Sequence, residues 1–342
     1  MPGPRRIVDA SRVTVVPWLT SERDWWLAEV RAWLDEIIDG PVLDVSPVRE
    51  MPWGVVLAVT TNRGRVYFKA SGPRGRHETR LLADLSVAAP DLVPPVLALD
   101  HERAWMLLGD AGELLRDLDA AAQVAIVESL LPAYAAMQRR TASKVTEWIE
   151  AGANDRRVER LPALLDDVLH GNTRIGKVPI DDDERASYLD ALPQLERVCA
   201  ELATTDVAAA LDHADLHGTN IVVAGEKGCV LDWGDAGVTH PFVSMFVPYQ
   251  FVVRQLPPPD RLWAVLRLRD AYLDGWGGGV DDHAAFRRAV WLGHATRAIG
   301  TAHELDAADA QALGGTGEIV DLLRAWHSRR HDLDDDIVLV ST

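Results

Sequence analysis

Cysteine is nearly absent from this chain of 342 residues: Cys199 and Cys229 are the two it has. With no CxxC pair and no Cys/His zinc spacing, a disulfide-stapled scaffold and a zinc finger are excluded, and a reducing compartment fits. Basic charge is also scarce. Lys and Arg total 35 against 52 Asp and Glu, a net charge of −17. Such a chain repels a phosphate backbone, so nucleic-acid binding is not expected. The acidity serves solubility or the attraction of a cationic small molecule. Long apolar runs are missing as well. The longest uncharged stretch, 236–253, contains Pro241 and Pro248 beside Thr239, His240, Ser244 and Gln250, a poor membrane span. The N-terminal MPGPRRIVDASRVTVV has Arg5 and Arg6 but no continuous apolar segment, so no signal peptide is expected and the location read from it is cytoplasmic.

What is present is ordinary globular material. Hydrophobic residues make up 48% and charged residues 25%, enough for a sizeable core in about two lobes. Residues 22–38 carry Trp26, Val30, Trp33, Leu34 and Ile37 at helical spacing, with Ser21 as the expected N-cap and Gly40-Pro41 as the stop. Three β-rich runs follow at 42–49, 54–61 and 65–70, the last two joined by Asn62-Arg63-Gly64 as a hairpin. A helix over 76–88 and short strands over 96–100 and 104–108 precede a flexible joint at Gly109-Asp110-Ala111-Gly112. Beyond it the periodicity is helical over 120–138, 158–169, 183–202, 262–276, 281–304 and 309–329. One hairpin interrupts that region: IVVAG at 221–225, a turn at Glu226-Lys227-Gly228, and CVLDW at 229–233. The reading is an α+β protein, with a small β-rich lobe over 1–109 and a larger, mainly helical lobe over 110–342. A cleft between two lobes is a common ligand site.

The chemistry concentrates in His213-Ala214-Asp215-Leu216-His217-Gly218-Thr219-Asn220 and in Asp232. Asn220 and Asp232 flank the hairpin, so antiparallel pairing brings them together. A carboxylate and an amide oxygen suit a hard cation such as magnesium, with phosphate oxygens completing the shell. Asp215 is then free to orient a hydroxyl nucleophile or accept its proton. A second reading takes His213, Asp215 and His217 as ligands of a zinc hydrolase; it leaves the hairpin aspartate unexplained.

The spacing H-x-D-x-x-x-x-N, followed by a hairpin and then hydrophobic-D-W, resembles the aminoglycoside phosphotransferase and choline kinase-like family, whose fold is similar to that of protein kinases. Order and spacing agree from about residue 42 to 240. The resemblance implies a two-lobed kinase-like fold and an ATP- and magnesium-dependent transfer of phosphoryl to a small-molecule hydroxyl. It implies that Lys69, in VYFKA, reaches the α/β-phosphates and that Glu78 fixes it. It implies that Met106, Leu107 and Leu108 form the hinge for the adenine edge, and that His217 stands near the γ-phosphate. Departures are visible too. Of a glycine-rich phosphate loop only Gly54 remains, in Arg49-Glu50-Met51-Pro52-Trp53-Gly54. His240-Pro241 stands for Asp-Pro, and Ser244 for a later Asp. The missing glycines also admit a non-catalytic nucleotide-binding protein of the same fold. The acceptor is expected beyond residue 240, with Asp235, Asp270, Glu304 and Trp263 as candidate contacts; the acidic bias favours an amine-bearing molecule such as an aminoglycoside, amino sugar or choline-like compound.

Overall fold

A computed structural model describes residues 16–225, 227–277, 283–305 and 314–340. The first helix, α1 (Arg23–Ile37), buries Trp26, Val30, Trp33 and Leu34. Ile37, expected on the same face, is exposed because it lies in the last turn. Ser21 is not the cap: the hydroxyl of Thr20 accepts the Glu22 N–H at 3.1 Å. The β-rich runs form strands β1 (Val42–Met51), β2 (Gly54–Thr61) and β3 (Gly64–Ser71), joined with β4 (Val96–Asp100) and β5 (Trp105–Gly109) in the order β1-β2-β3-β5-β4. The β2–β3 hairpin closes with Thr61 opposite Gly64, and Gly64 supplies the positive φ of 123° that the tight turn requires.

Alternation decides what this sheet does. Phe68 and Ala70 face α1 and join a core with Trp18, Trp26, Trp33 and Trp105, where neighbouring rings sit 5.4–6.4 Å apart. Lys69 and Ser71, which alternate with them, therefore point to the opposite side, toward α2 (Glu78–Ala88). Fully burying aromatic side chains at about 1.5–3 kcal/mol each is what holds that face fixed.

After β5 the chain crosses to the second lobe. Strand β6 (Glu113–Leu114) pairs with β9 (Ile221–Ala224), which pairs with β10 (Lys227–Val230). The observed β10 starts two residues earlier than the sequence predicts; Glu226, in the expected turn, lies outside the described residues. The helices are α3 (Ala120–Thr141), α4 (Val145–Glu150), α5 (Leu161–His170), α6 (Asp182–Ala203), α7 (Phe246–Gln255), α8 (Pro258–Gly275), α9 (His283–Glu304) and α10 (Gly315–Ser328). The expected helix over 309–329 has its first residues outside the described ones. The stretch Ala120–Glu150 is long and apolar enough to cross a bilayer by length and composition. In the fold, α3 instead buries Leu130, Leu131 and Tyr134 in the core of this lobe. A small sheet of β7 (Asn154–Asp155), β11 (Gly237–Thr239) and β8 (Ala210–Asp212) sits beneath the cleft.

Candidate active site

Between the lobes lies a cleft of about 560 Å³ whose walls include Lys69, Glu78, Asp215, Asp232, Asp235 and Arg297. Its roof is Lys69. The ammonium lies 2.6 Å from Glu78 Oε1 and 2.5 Å from Asp232 Oδ1. Glu78, in the first turn of α2, is buried, and it also accepts from Ser71 Oγ at 2.7 Å and from the Trp233 backbone N–H at 3.0 Å. Burial alone would lower the Lys69 pKa; Asp232 and Glu78 outweigh it and hold the ammonium charged well above the ordinary value. Asp232 answers in the opposite direction: burial would raise its carboxyl, but Lys69 and then Arg49 hold it below the usual range.

The floor is the loop from His213 to Asn220. His213 does not face a ligand. Its ring Nε2 lies 2.8 Å from the Leu231 carbonyl, its Nδ1 accepts the Asp215 N–H at 3.3 Å, and its face meets Trp233 at 4.8 Å. With both nitrogens engaged, this ring braces the loop. Among the described residues no three His, Cys, Asp or Glu side chains gather as a metal cluster, which leaves the zinc-hydrolase reading without a site. Two non-glycine residues hold the left-handed conformation here, Ala214 (φ 66°) and Asp232 (φ 63°). Each costs of order 1 kcal/mol or more and persists where the surroundings fix it, commonly at functional sites.

The side-chain amide of Asn220 donates to the Asp215 backbone carbonyl and to Asp215 Oδ2, both at 2.9 Å. That leaves the amide oxygen of Asn220 unspent. The backbone N–H of Leu231 bonds Asn220 O at 2.8 Å, which sets Asn220 beside Asp232 as the hairpin predicts. Among the described residues, the ion-pair partner of Asp232 Oδ2 is Arg49, 3.8 Å away. These spare hard oxygens fit magnesium, which prefers carboxylate and carbonyl oxygens and keeps water and phosphate in its shell.

Three expectations are corrected. Met106 and Leu107 pair with β3 on one side and β4 on the other, opposite Lys69 and Leu99, and Phe68 and Ala98; Leu108 lies likewise between Tyr67 and Val96. Their backbone groups belong to the sheet rather than to an open hinge, and past Gly109 the Gly112 N–H is taken by Asp110 Oδ1 at 3.1 Å. His217 turns to the base: Nε2 is 3.2 Å from Asp215 Oδ2 while Nδ1 lies 2.8 Å from the Thr219 hydroxyl. Asp270 is exposed on α8, 2.9 Å from Arg269, and Trp263 is exposed under the Arg267 guanidinium; neither lines the cleft. Helix α8 packs on α3, and only its buried face looks inward.

Asp235 and Glu304 do line the cleft. Glu304 is ion-paired with Arg156 and accepts from Asn154 Nδ2 at 3.0 Å. Asp235 opens into the cleft, yet the surrounding protein and the carboxylates of Glu304, Asp232 and Asp215 push it up to about 8. Sequence reasoning missed Arg156 and Arg297. Arg297 lies on α9 one face with Gly300 and Glu304, and its Nη1 is 2.9 Å from Asp215 Oδ1. Gly293 allows α9 this close: a Cβ there would stand 2.3 Å from that of Phe246.

A roof lysine joined to a helix glutamate, a hairpin aspartate, and an Asp–Asn pair on the loop below define a phosphotransferase of kinase-like fold. The model of the phosphotransferase enzyme family (APH) matches residues 56–287, and the chain belongs to that family. Similar solved structures include the microcompartment-associated aminopropanol kinase (14% identity, TM-score 0.59, 92% of this chain and 100% of that one). Others are the choline kinase LicA from Streptococcus pneumoniae (13%, TM-score 0.57, 88% and 99%) and the amicoumacin kinase hAmiN in complex with AMP-PNP, Ca2+ and Ami (14%, TM-score 0.56, 90% and 94%). At these identities they share the fold. A search of curated proteins finds no match. The family assignment makes the chain a phosphotransferase.

Proposed function

We propose that this phosphotransferase moves the γ-phosphoryl group of magnesium-bound ATP to the hydroxyl of a small, amine-bearing molecule, in the cytoplasm. The observation that carries the reading is Lys69, held between Glu78 at 2.6 Å and Asp232 at 2.5 Å in the cleft that Asp215 also lines. Residues 1–109 form the nucleotide-binding lobe and 110–342 the lobe of catalysis and acceptor binding.

Lys69 binds the α/β-phosphates as a fixed point charge. Magnesium, held by Asn220 and Asp232, supplies neutralisation of phosphate charge when bound. The β1–β2 hairpin is too tight to wrap phosphates, since Met51 already pairs with Gly54 and the Trp53 carbonyl accepts the Gly72 N–H at 2.7 Å. Arg49, on the same strand with its guanidinium in the cleft and 5.8 Å from the Trp53 ring, takes over the phosphate contact that glycine amides make elsewhere. Asp215 aligns the acceptor hydroxyl. As the hydroxyl oxygen attacks the γ-phosphorus, the bond to the β,γ-bridging oxygen breaks, its electron pair leaves on ADP, and the hydroxyl proton passes to Asp215. The transition state is loose, so a carboxylate held well below its ordinary pKa is sufficient: its task is alignment more than deprotonation. Asp235 supports the amine: it lines the cleft with no ion-pair partner among the described residues, and an arriving ammonium offsets the burial and neighbouring carboxylates that push it up to about 8, drawing its carboxyl to the ionised form.

The test is an ADP-release screen over aminoglycosides, amino alcohols, amino sugars and uncharged sugars, with the phosphorylated product identified by mass spectrometry. Turnover confined to uncharged acceptors would remove the amine from the proposal; no phosphorylated product from any class would remove the acceptor reading.

A further inference from the structure

The carboxylate of Asp215 is already spoken for on both oxygens. Oδ2 accepts from Asn220 Nδ2 at 2.9 Å and lies 3.2 Å from His217 Nε2. Its two lone pairs are used, so an incoming hydroxyl must be received at Oδ1. Yet Oδ1 is buried without an aligned hydrogen-bond donor. What covers it is Arg297. Nη1 stands 2.9 Å from Oδ1, while its hydrogen bond goes to the Ala214 carbonyl at 3.0 Å. On its other side, Arg297 Nε lies 3.3 Å from Glu318 Oε1, at the start of α10. Glu318 is half-exposed and lines the same cleft.

This arrangement differs from a structural ion pair in one respect. The guanidinium fills the position from which a hydroxyl would approach, and the oxygen beneath it gains charge balance without a well-directed hydrogen bond. The weaker hold on Oδ1 is the one an acceptor has to break, and a second carboxylate stands ready beside the same guanidinium. We propose that Arg297 caps the catalytic base while the acceptor site is empty and swings toward Glu318 as an acceptor enters, so that Asp215 Oδ1 meets a hydroxyl only when the cleft is filled. The cap keeps water from serving as acceptor. In that wasteful reaction the water oxygen would attack the γ-phosphorus, the β,γ-bridging oxygen would leave with its electron pair on ADP, and a water proton would pass to Oδ1, giving ADP and phosphate. The inference rests on the reading of Asp215 as the base.

The experiment uses magnesium–ATP alone, with no acceptor. Hydrolysis is followed by phosphate release, and nucleotide binding separately by the thermal shift that magnesium–ATP produces. Arg297→Ala and Arg297→Met are expected to keep the wild-type thermal shift and to hydrolyse ATP about tenfold faster or more, within the span that a positioned base contributes. Adding Asp215→Asn to either variant is expected to cancel the gain. Arg297→Lys, which keeps the charge but not the fork, falls between and serves where the shorter side chains fail to fold. A merely structural arginine would not yield a gain. Unchanged or slower hydrolysis in variants that bind nucleotide normally overturns the proposal, as does a gain from His217→Ala with none from Arg297→Ala, which would put the receiving oxygen at Oδ2. If the wild-type protein shows neither a thermal shift nor hydrolysis, the nucleotide reading fails first and takes the cap with it.

Discussion

Replacing Lys69 by Met tests the electrostatic centre of the cleft. The substitution keeps length and removes a charge that touches Glu78 Oε1 at 2.6 Å and Asp232 Oδ1 at 2.5 Å. Taking one partner from a buried ion pair costs about 3–5 kcal/mol, because the other charge stays buried and unbalanced. The lower end applies here. Glu78 keeps Ser71 Oγ and the Trp233 N–H as donors, and Asp232 keeps Arg49 at 3.8 Å on its open side. About 3 kcal/mol in a chain of this size corresponds to a fall of roughly 6 °C in Tm, taking about 2 °C per kcal/mol. A second effect separates binding from folding. Magnesium–ATP at about 100 times its Kd stabilises the wild type by about 2.7 kcal/mol, so its Tm rises by roughly 5 °C; the variant is expected to show little of that rise. Adding Glu78→Gln restores part of the lost stability, since the amide oxygen still accepts from Trp233 without carrying a charge, and restores none of the nucleotide response. Differential scanning fluorimetry of the three proteins, with and without nucleotide, reads all of this. A Lys69→Met protein with wild-type Tm and a full nucleotide shift would refute the reasoning.

Asp215→Asn is expected to lower phosphoryl transfer by about 10²–10⁴-fold while the ATP-induced thermal shift is kept; a loss of both together would move Asp215 from the chemistry to the fold. Arg49→Ala removes one charge-assisted contact, about 1.5–3 kcal/mol, so KM for ATP should rise by at least about tenfold with the acceptor KM unchanged; an unchanged ATP KM would leave the phosphates to other groups. Asp235 gives a pH signature. Its folded pKa, pushed up to about 8, lies above its value of about 4 in the unfolded chain, so between those pH values the folded state holds a proton that the unfolded state releases. Stability from this group is present at low pH and is lost as pH rises through 8; Asp235→Asn should therefore stabilise the protein more at pH 8 than at pH 5 in urea titrations, and parallel curves would contradict it.

Much of the site was legible because the determining signals are local. The family resemblance picked out Lys69 in its strand, where alternation then turns it away from Phe68 and Ala70, and the hairpin spacing set Asn220 beside Asp232. What failed depended on register or on long-range packing. A strand paired on both sides reads as one apolar run, so Met106–Leu108 looked available when their backbone was already spent. Helix α7 was invisible for a related reason: Phe246, Pro248, Tyr249, Val252 and Val253 are buried, and before Arg254 only Gln250 breaks the run of apolar and aromatic residues, too little for an amphipathic period. Asp270 and Trp263 have plausible chemistry on the wrong face of α8. Arg297 could not be joined to Asp215 across 82 positions by any pattern; a buried arginine facing the acidic cleft was the one available signal, and burial is not written in the sequence.

The Glu78–Trp233 hydrogen bond and the Lys69–Asp232 pair both stitch the sheet-bearing half to the helical half. The two halves are thus not interchangeable cartridges. A chimera that grafts the first hundred or so residues onto a distant relative's remainder must carry matching registry at these stitches, or its cleft will gape and its charges will be left in mismatched company.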